Sequence, residues 1–155
     1  MQFTIRLAQP ADVPEIAAMC AMLWPDGSIE EHRSEVVAKI SSGISGTLPV
    51  AILLSQDASG SLTGFVEIGL RSHADGCDTS RPVGYIEGWF VRQAARRQGI
   101  GKELIYAAEA WARQQGCIEM ASDALLGNPA SLRAHVALGF EEVDRCVHFR
   151  KKLET

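Results

Sequence analysis

Arg96-Arg97-Gln98-Gly99-Ile100-Gly101 carries the clearest chemistry in this sequence. The loop follows an apolar run, Tyr85-Ile86-Glu87-Gly88-Trp89-Phe90-Val91, and opens a segment in which Ile100, Leu104, Ala108, Trp111 and Ala112 recur on one helical face. Such a strand-to-helix turn is suited to an anion. Glycines let a ligand approach the backbone closely, a helix N-terminus presents unpaired N–H groups and positive dipole, and Arg96 and Arg97 add full positive charge. Taken alone, Arg-x-x-Gly-x-Gly also suits any tight turn, so its meaning depends on its setting.

The elements that must hold this loop are legible from hydrophobic spacing. Phe3, Ile5 and Leu7 alternate as a first strand, and Val13, Ile16, Ala17, Cys20 and Leu23 form the apolar stripe of a first helix ending at Trp24-Pro25-Asp26-Gly27. Ser28 and Glu31 have capping-box spacing for a second helix, with Val36, Val37 and Ile40 on its apolar face and a stop at Gly43 to Gly46. Leu48 to Leu54 and Leu62 to Leu70 read as a hairpin around Asp57-Ala58-Ser59-Gly60-Ser61, followed by a polar loop from Arg71 to Arg81. After the helix that ends at Gly116, Cys117 to Ser122 predicts a strand parallel to the one before the loop, with Asp123 at its carboxyl end. Asn128-Pro129-Ala130-Ser131 starts a last helix ending at Gly139, and Phe140 to Leu153 predicts a final strand. The order β-α-α-β-β-β-α-β-α-β predicts a mixed α+β fold.

Length and composition bound the rest. A chain of 155 residues, 46% hydrophobic and 22% charged, matches one domain spanning residues 1–155. A net charge of −4 argues against nucleic acid, which requires a basic stripe. No apolar window approaches about 18 residues, and Met1 to Arg6 lacks the basic start and long apolar core of a leader, so an intracellular, cytoplasmic protein is expected. Cys20, Cys77, Cys117 and Cys146 are scattered and predict no disulfides. His73, Asp75, Cys77 and Asp78 crowd one segment, but their spacing fits no metal-ligand pattern.

With the preceding strand, the following helix, the β-α-β closure and Asn128-x-x-Ser131-x-x-x-His135-x-x-x-Gly139-Phe140 in order, the chain resembles the GCN5-related N-acetyltransferases over essentially its whole length. Within them it looks like the aminoglycoside 6'-N-acetyltransferases, through Tyr85 to Val91, Glu109-Ala110-Trp111-Ala112, Ala121-Ser122-Asp123 and Ala137 to Glu142. The resemblance implies that Arg96, Arg97, Gln98, Gly99, Ile100 and Gly101 hold the pyrophosphate of acetyl-CoA, that Phe90 and Val91 run beside its pantetheine arm, and that Asn128 contacts it. It implies acetyl transfer to the 6'-amine of an aminocyclitol antibiotic by direct attack in a ternary complex, and a homodimer. The family often has a tyrosine seven residues after the asparagine to protonate the departing thiolate; here His135 stands there, and an imidazole can donate a proton near neutral pH. A packed or surface histidine is the alternative.

A polycationic acceptor suits carboxylates in a cleft. Glu87 and Asp123 lie toward the carboxyl ends of neighbouring strands, a common ligand site in open sheets. Asp123 is the first candidate to orient the reacting amine or take its proton, against a role as a helix cap. Glu87 either binds an ammonium group or pairs with an arginine. Trp24 matches an aromatic position of the acceptor pocket, where a sugar ring can pack, or completes the core. Other amine acceptors, such as a polyamine or protein N-terminus, fit the same charges. A non-enzymatic acyl-CoA sensor would keep the loop without the acceptor cleft.

Overall fold

The alternating N-terminal residues form β1 (Phe3–Leu7), and a short 3₁₀ turn over Pro10–Asp12 leads into α1 (Val13–Leu23) in the computed structural model of the chain. The structure describes residues 2–155; Met1, part of the stretch read above for a leader, lies outside them. Arg6 fastens this entry to α1. Its guanidinium donates to both oxygens of Asp12, at 2.8 and 2.9 Å, which holds the Asp12 carboxyl below the usual range.

Ser28 caps α2 (Ile29–Ser42) as its spacing predicts: the Glu31 N–H donates to Ser28 Oγ at 3.1 Å while Glu31 Oε2 accepts the Ser28 N–H at 3.4 Å. A two-residue β2 (Ile44–Ser45) then pairs with the start of β3 (Leu48–Asp57), an element too short to show periodicity. The sheet continues through β4 (Leu62–Arg71) and β5 (Val83–Val91); α3 (Ile100–Gln114) follows the glycine loop and returns the chain to β6 (Met120–Ser122). Strand order is β1-β3-β4-β5-β6. The β5–β6 pair is parallel and the other pairs are antiparallel.

Strand alternation sends residues to opposite faces and so divides the helices. Ile52, Leu54 and Phe65 on one face join Val13, Ile16, Met19 and Cys20 of α1 and Val36 of α2 in one buried cluster. Burial pushes the Cys20 thiol up to about 12, so this cysteine is an inert packing group. On the other face, α3 buries Ile100, Leu104, Ile105, Ala108 and Ala112. Gly64 lies on that side. A Cβ at Gly64 would come within 2.6 Å of the Phe90 carbonyl oxygen, and backbone cannot yield as a flexible side chain can. Gly64→Ala is therefore expected to cost about 1–3 kcal/mol in chemical denaturation; an unchanged midpoint would contradict this close approach of β4 and β5.

Two expectations need correction. The strand predicted over Cys117 to Ser122 is confined to Met120–Ser122, because the Cys117 N–H turns back to the Ala112 carbonyl at 3.0 Å and finishes the helix end instead. No strand forms over Phe140 to Leu153. A suitable residue pattern is not sufficient for a strand, because its N–H and C=O groups also need a ladder partner, which local sequence does not supply.

The chain divides into two compact units, one ending at Asp123 and one spanning Ala124–Thr155. The second contains α4 (Pro129–Ala137), whose cap is Asn128: its side-chain oxygen accepts the Ser131 N–H at 3.1 Å. Val143, Val147, Phe149 and Leu153 beyond it are exposed, Phe149 by 92%. Among the described residues no helix is long and apolar enough to cross a membrane.

Candidate active site

β4 and β5 run in register from Gly64↔Val91 to Glu67↔Gly88, then skip to Ile68↔Ile86. Glu87 is the extra residue. A bulge of this kind bends its strand and re-aims a side chain. On the other edge of β5, pairing with β6 stops at Ile86↔Ser122, so β5 from Glu87 to Val91 runs on beyond its parallel partner.

The three expected acceptor residues Trp24, Glu87 and Asp123 belong to this region of the first unit. The Trp24 ring packs against the Gly88 backbone, where a Cβ would stand 2.5 Å from it, and lies 6.2 Å from the Phe65 ring centroid. It keeps 37% of its surface exposed. Glu87 is held by an arginine, as one reading of it anticipated: Arg71 Nε and its terminal NH2 donate to the two carboxylate oxygens at 2.9 and 2.8 Å. The same guanidinium stacks over the Tyr85 ring, 3.5 Å from its centroid. Tyr85 in turn donates its hydroxyl to Asp123 Oδ2 at 2.6 Å.

Asp123 does not cap the helix that follows it, since Asn128 is the cap of α4. Burial, together with the Asp123 hydrogen bond, pushes the Tyr85 hydroxyl well above its ordinary value, so Tyr85 stays a donor throughout the physiological range. Tyr85→Phe is expected to lower stability by about 1.5 kcal/mol, the loss of a hydrogen bond to a charged acceptor, as read by urea denaturation. No change would mean that water replaces the contact without cost.

Sequence reading missed three of these groups. Tyr85 stands in the predicted strand with no role of its own, Arg71 falls in the predicted loop, and the Lys39–Glu67 pair joins two separate elements. Lys39 Nζ donates to both Glu67 oxygens at 3.0 Å, and burial nevertheless raises the Glu67 carboxyl above its ordinary value. A lone acid inside the apolar run Leu62 to Leu70 was the available signal, because such residues are rarely buried unpaired. Lys39, Glu67, Arg71 and Glu87 line a cleft of about 310 Å³.

At the other end of β5 lies the loop. Phe90, 6.2 Å from Phe65 between ring centroids, and Val91 lead out of the strand. Arg96 reaches back to them: its Nε donates to the Val91 carbonyl at 2.9 Å and its guanidinium stands 6.0 Å from the Phe90 ring centroid. Arg97 adopts φ +64°, uncommon for a residue with a Cβ and a mark of a loop shaped by more than its own preferences. Gly99 at φ +83° opens α3, with open space where a Cβ would lie and no side chain capping the helix. The N–H groups of that first turn, Ile100 and Gly101 among them, lack intrahelical acceptors.

Gly101 also has a packing role. Trp89 donates its indole N–H to the Gly101 carbonyl at 3.2 Å, and a Cβ at Gly101 would stand 3.3 Å from the Trp89 ring, so its smallness seats Trp89. Gln98 Oε1 is buried without a hydrogen-bond partner. A bare helix N-terminus, an open glycine and an unsatisfied buried amide together fit a polyanionic ligand with further polar groups.

In the second unit, His135 donates its Nδ1–H to the Ser131 carbonyl at 2.7 Å. Its ring meets Phe140 edge-on at 5.2 Å. Asn128 Oδ1 is engaged in capping α4, so any further contact from this residue would use its NH2 group.

A mixed sheet with a bulged strand, a short parallel pair and a glycine loop opening a helix beside it defines an acyl-CoA-dependent acyltransferase architecture. The chain belongs to the acetyltransferase (GNAT) family, whose model matches residues 16–140. It is 42% identical to the aminoglycoside N(6')-acetyltransferase type 1 of Klebsiella aerogenes, over 95% of this chain and 97% of that one. It is 39% identical to the enzyme of the same name from Serratia marcescens, over 88% and 90% of the two chains. Among solved structures, it superposes with a TM-score of 0.87 on AAC(6')-Iy in complex with the bisubstrate analogue CoA-S-monomethyl-acetylneamine, at 30% identity over 99% of this chain and 100% of that one. AAC(6')-Ih from Acinetobacter baumannii gives 0.86 at 32% identity, over 99% and 100%.

Proposed function

We propose that this protein transfers the acetyl group of acetyl-CoA to the 6'-amine of aminoglycoside antibiotics, by direct attack in a ternary complex, and so confers resistance to them. The observation that carries this reading is the gathering of Trp24, Glu87 and Asp123 around a bulged strand that leads into the Arg96–Gly101 loop. The Klebsiella aerogenes relative and AAC(6')-Iy, each aligned over 95% or more of this chain, bear the same activity in their names.

Acetyl-CoA supplies an acetyl thioester, whose carbonyl carbon is open to attack by an amine. Arg96, Arg97, Gln98, Gly99, Ile100 and Gly101 bind its pyrophosphate through guanidinium charge and the N–H groups at the start of α3. Phe90 and Val91 guide the pantetheine arm, and Asn128 contacts it. Asp123 accepts a proton from the acceptor's ammonium, directly or through water, because an ammonium has no lone pair with which to attack. Tyr85 holds the Asp123 carboxylate by the 2.6 Å hydrogen bond. Glu87 binds a second ammonium group, and a sugar ring packs on Trp24. By its position in the family pattern, His135 returns a proton to the departing thiolate. His135→Ala is then expected to lower turnover modestly.

Both compact units belong to one acetyltransferase domain, since the family match runs across their boundary at Asp123. The enzyme acts in the cytoplasm, where its four free cysteines stay reduced. It works as a homodimer, and the exposed Val143, Val147, Phe149 and Leu153 are the surface that pairing would cover.

Thiol release from acetyl-CoA with kanamycin, tobramycin, spermidine and a short peptide tests this reading. Release is expected with the two aminoglycosides. Release only with spermidine or the peptide, or with none of the four, would contradict it.

A further inference from the structure

The cleft beside Glu87 carries a contradiction for a protein that binds a polycation. Its four charged residues are two ion pairs, Lys39–Glu67 and Arg71–Glu87, so as built it offers an ammonium group almost no net attraction. For Glu87 to offer a cationic acceptor both oxygens in place of the present pair, a resident cation has to leave.

The two pairs differ in how easily they open. Glu67 is 7% exposed and Lys39 21%, so separating them strands a buried carboxylate. Arg71 and Glu87 are 45% and 33% exposed, and solvated pairs of this kind shift an equilibrium by less than about fivefold. Arg71 also stands at the end of β4, where the chain enters the exposed stretch from Ser72. Its guanidinium bridges the acceptor residues: it grips Glu87 by both oxygens and lies on the ring of Tyr85, whose hydroxyl holds Asp123. The guanidinium thus sits where an acceptor ammonium would find one carboxylate at hand and a second close by.

We infer that Arg71 is a built-in substitute for the substrate: a resident cation that holds Glu87 in the unliganded enzyme and is displaced by an ammonium group of the acceptor. This rests on the reading of Glu87 as an acceptor-binding residue. Arg71 thereby preforms the carboxylate geometry at a small cost in affinity.

Calorimetric titration of the full chain with kanamycin, over a range of salt concentrations, tests the inference. Arg71→Gln is expected to bind kanamycin about three- to fivefold more tightly than the unaltered protein and with a steeper loss of affinity on adding salt, because the cleft gains net negative charge. Arg71→Lys, which keeps the charge and loses the fork, is expected to fall between them. Unchanged or weaker binding by Arg71→Gln, or an unchanged salt dependence, would overturn the inference and identify Arg71 as a fixed support for Glu87. Glu87→Gln separates this failure from a deeper one. If it weakens kanamycin binding while Arg71→Gln does not tighten it, only the displacement is wrong; if Glu87→Gln binds as well as the unaltered protein, the acceptor assignment of Glu87 fails and the inference with it.

Discussion

Asp123→Asn is expected to lower kcat by about a hundred- to a thousandfold, within the range for loss of a general base, while KM for acetyl-CoA changes by less than about threefold. The substitution isolates the chemistry because asparagine is nearly isosteric and keeps an oxygen to accept the Tyr85 hydroxyl, now at 2.6 Å. What is lost is charge and the ability to take a proton. A general loss of structure would instead raise both KM values and lower thermal stability. Tyr85→Phe, measured alongside, should reduce kcat far less, since it frees the carboxylate to rotate without removing it. Steady-state rates of the two variants decide the matter, and full turnover by Asp123→Asn would remove its proposed role and turn attention to Glu87.

Lys39→Met should produce the largest loss of stability among the surface and cleft residues, about 3 kcal/mol at neutral pH. The buried Glu67 would lose both hydrogen bonds from Lys39 Nζ and keep its charge among apolar neighbours. The sign of the pH dependence follows from the raised Glu67 carboxyl. Below the ordinary carboxyl range Glu67 is neutral in folded and unfolded chains and its unpaired charge costs nothing; as pH rises through its folded value the charged form appears and the deficit grows. Urea denaturation from acid to neutral pH should therefore show Lys39→Met approaching the unaltered protein on the acid side. Replacing both partners, Lys39→Met with Glu67→Leu, should recover most of the loss. A pH-independent deficit would mean that Lys39 acts through its aliphatic stem and not through the charge.

These outcomes show where sequence legibility ends. The capping box of Ser28 and Glu31 and the stripe of α1 were readable because both are local, set by residues three or four apart. The Arg96–Gly101 loop was readable because its strand, turn and helix are contiguous. The proposed acceptor region was only half readable. Glu87, Asp123 and Trp24 could be named as residues, but the bulge that makes Glu87 the extra residue is a property of ladder register, which no single strand encodes. Tyr85 and Asp123 lie 38 residues apart and Lys39 and Glu67 28 apart, so each contact exists only once the sheet has ordered its strands. The strand expected over Phe140 to Leu153 failed for the converse reason: pairing requires a neighbour that local pattern cannot supply.

The measurement that bears most directly on the proposed activity is the position of the acetyl group on the product. Kanamycin incubated with acetyl-CoA and the full chain, then characterised by mass spectrometry and NMR, should carry a single acetyl group on the 6'-nitrogen, with formation abolished or nearly so in Asp123→Asn. Acetyl found on a different amine, or kanamycin recovered unmodified while acetyl-CoA is consumed on another acceptor, would contradict the account.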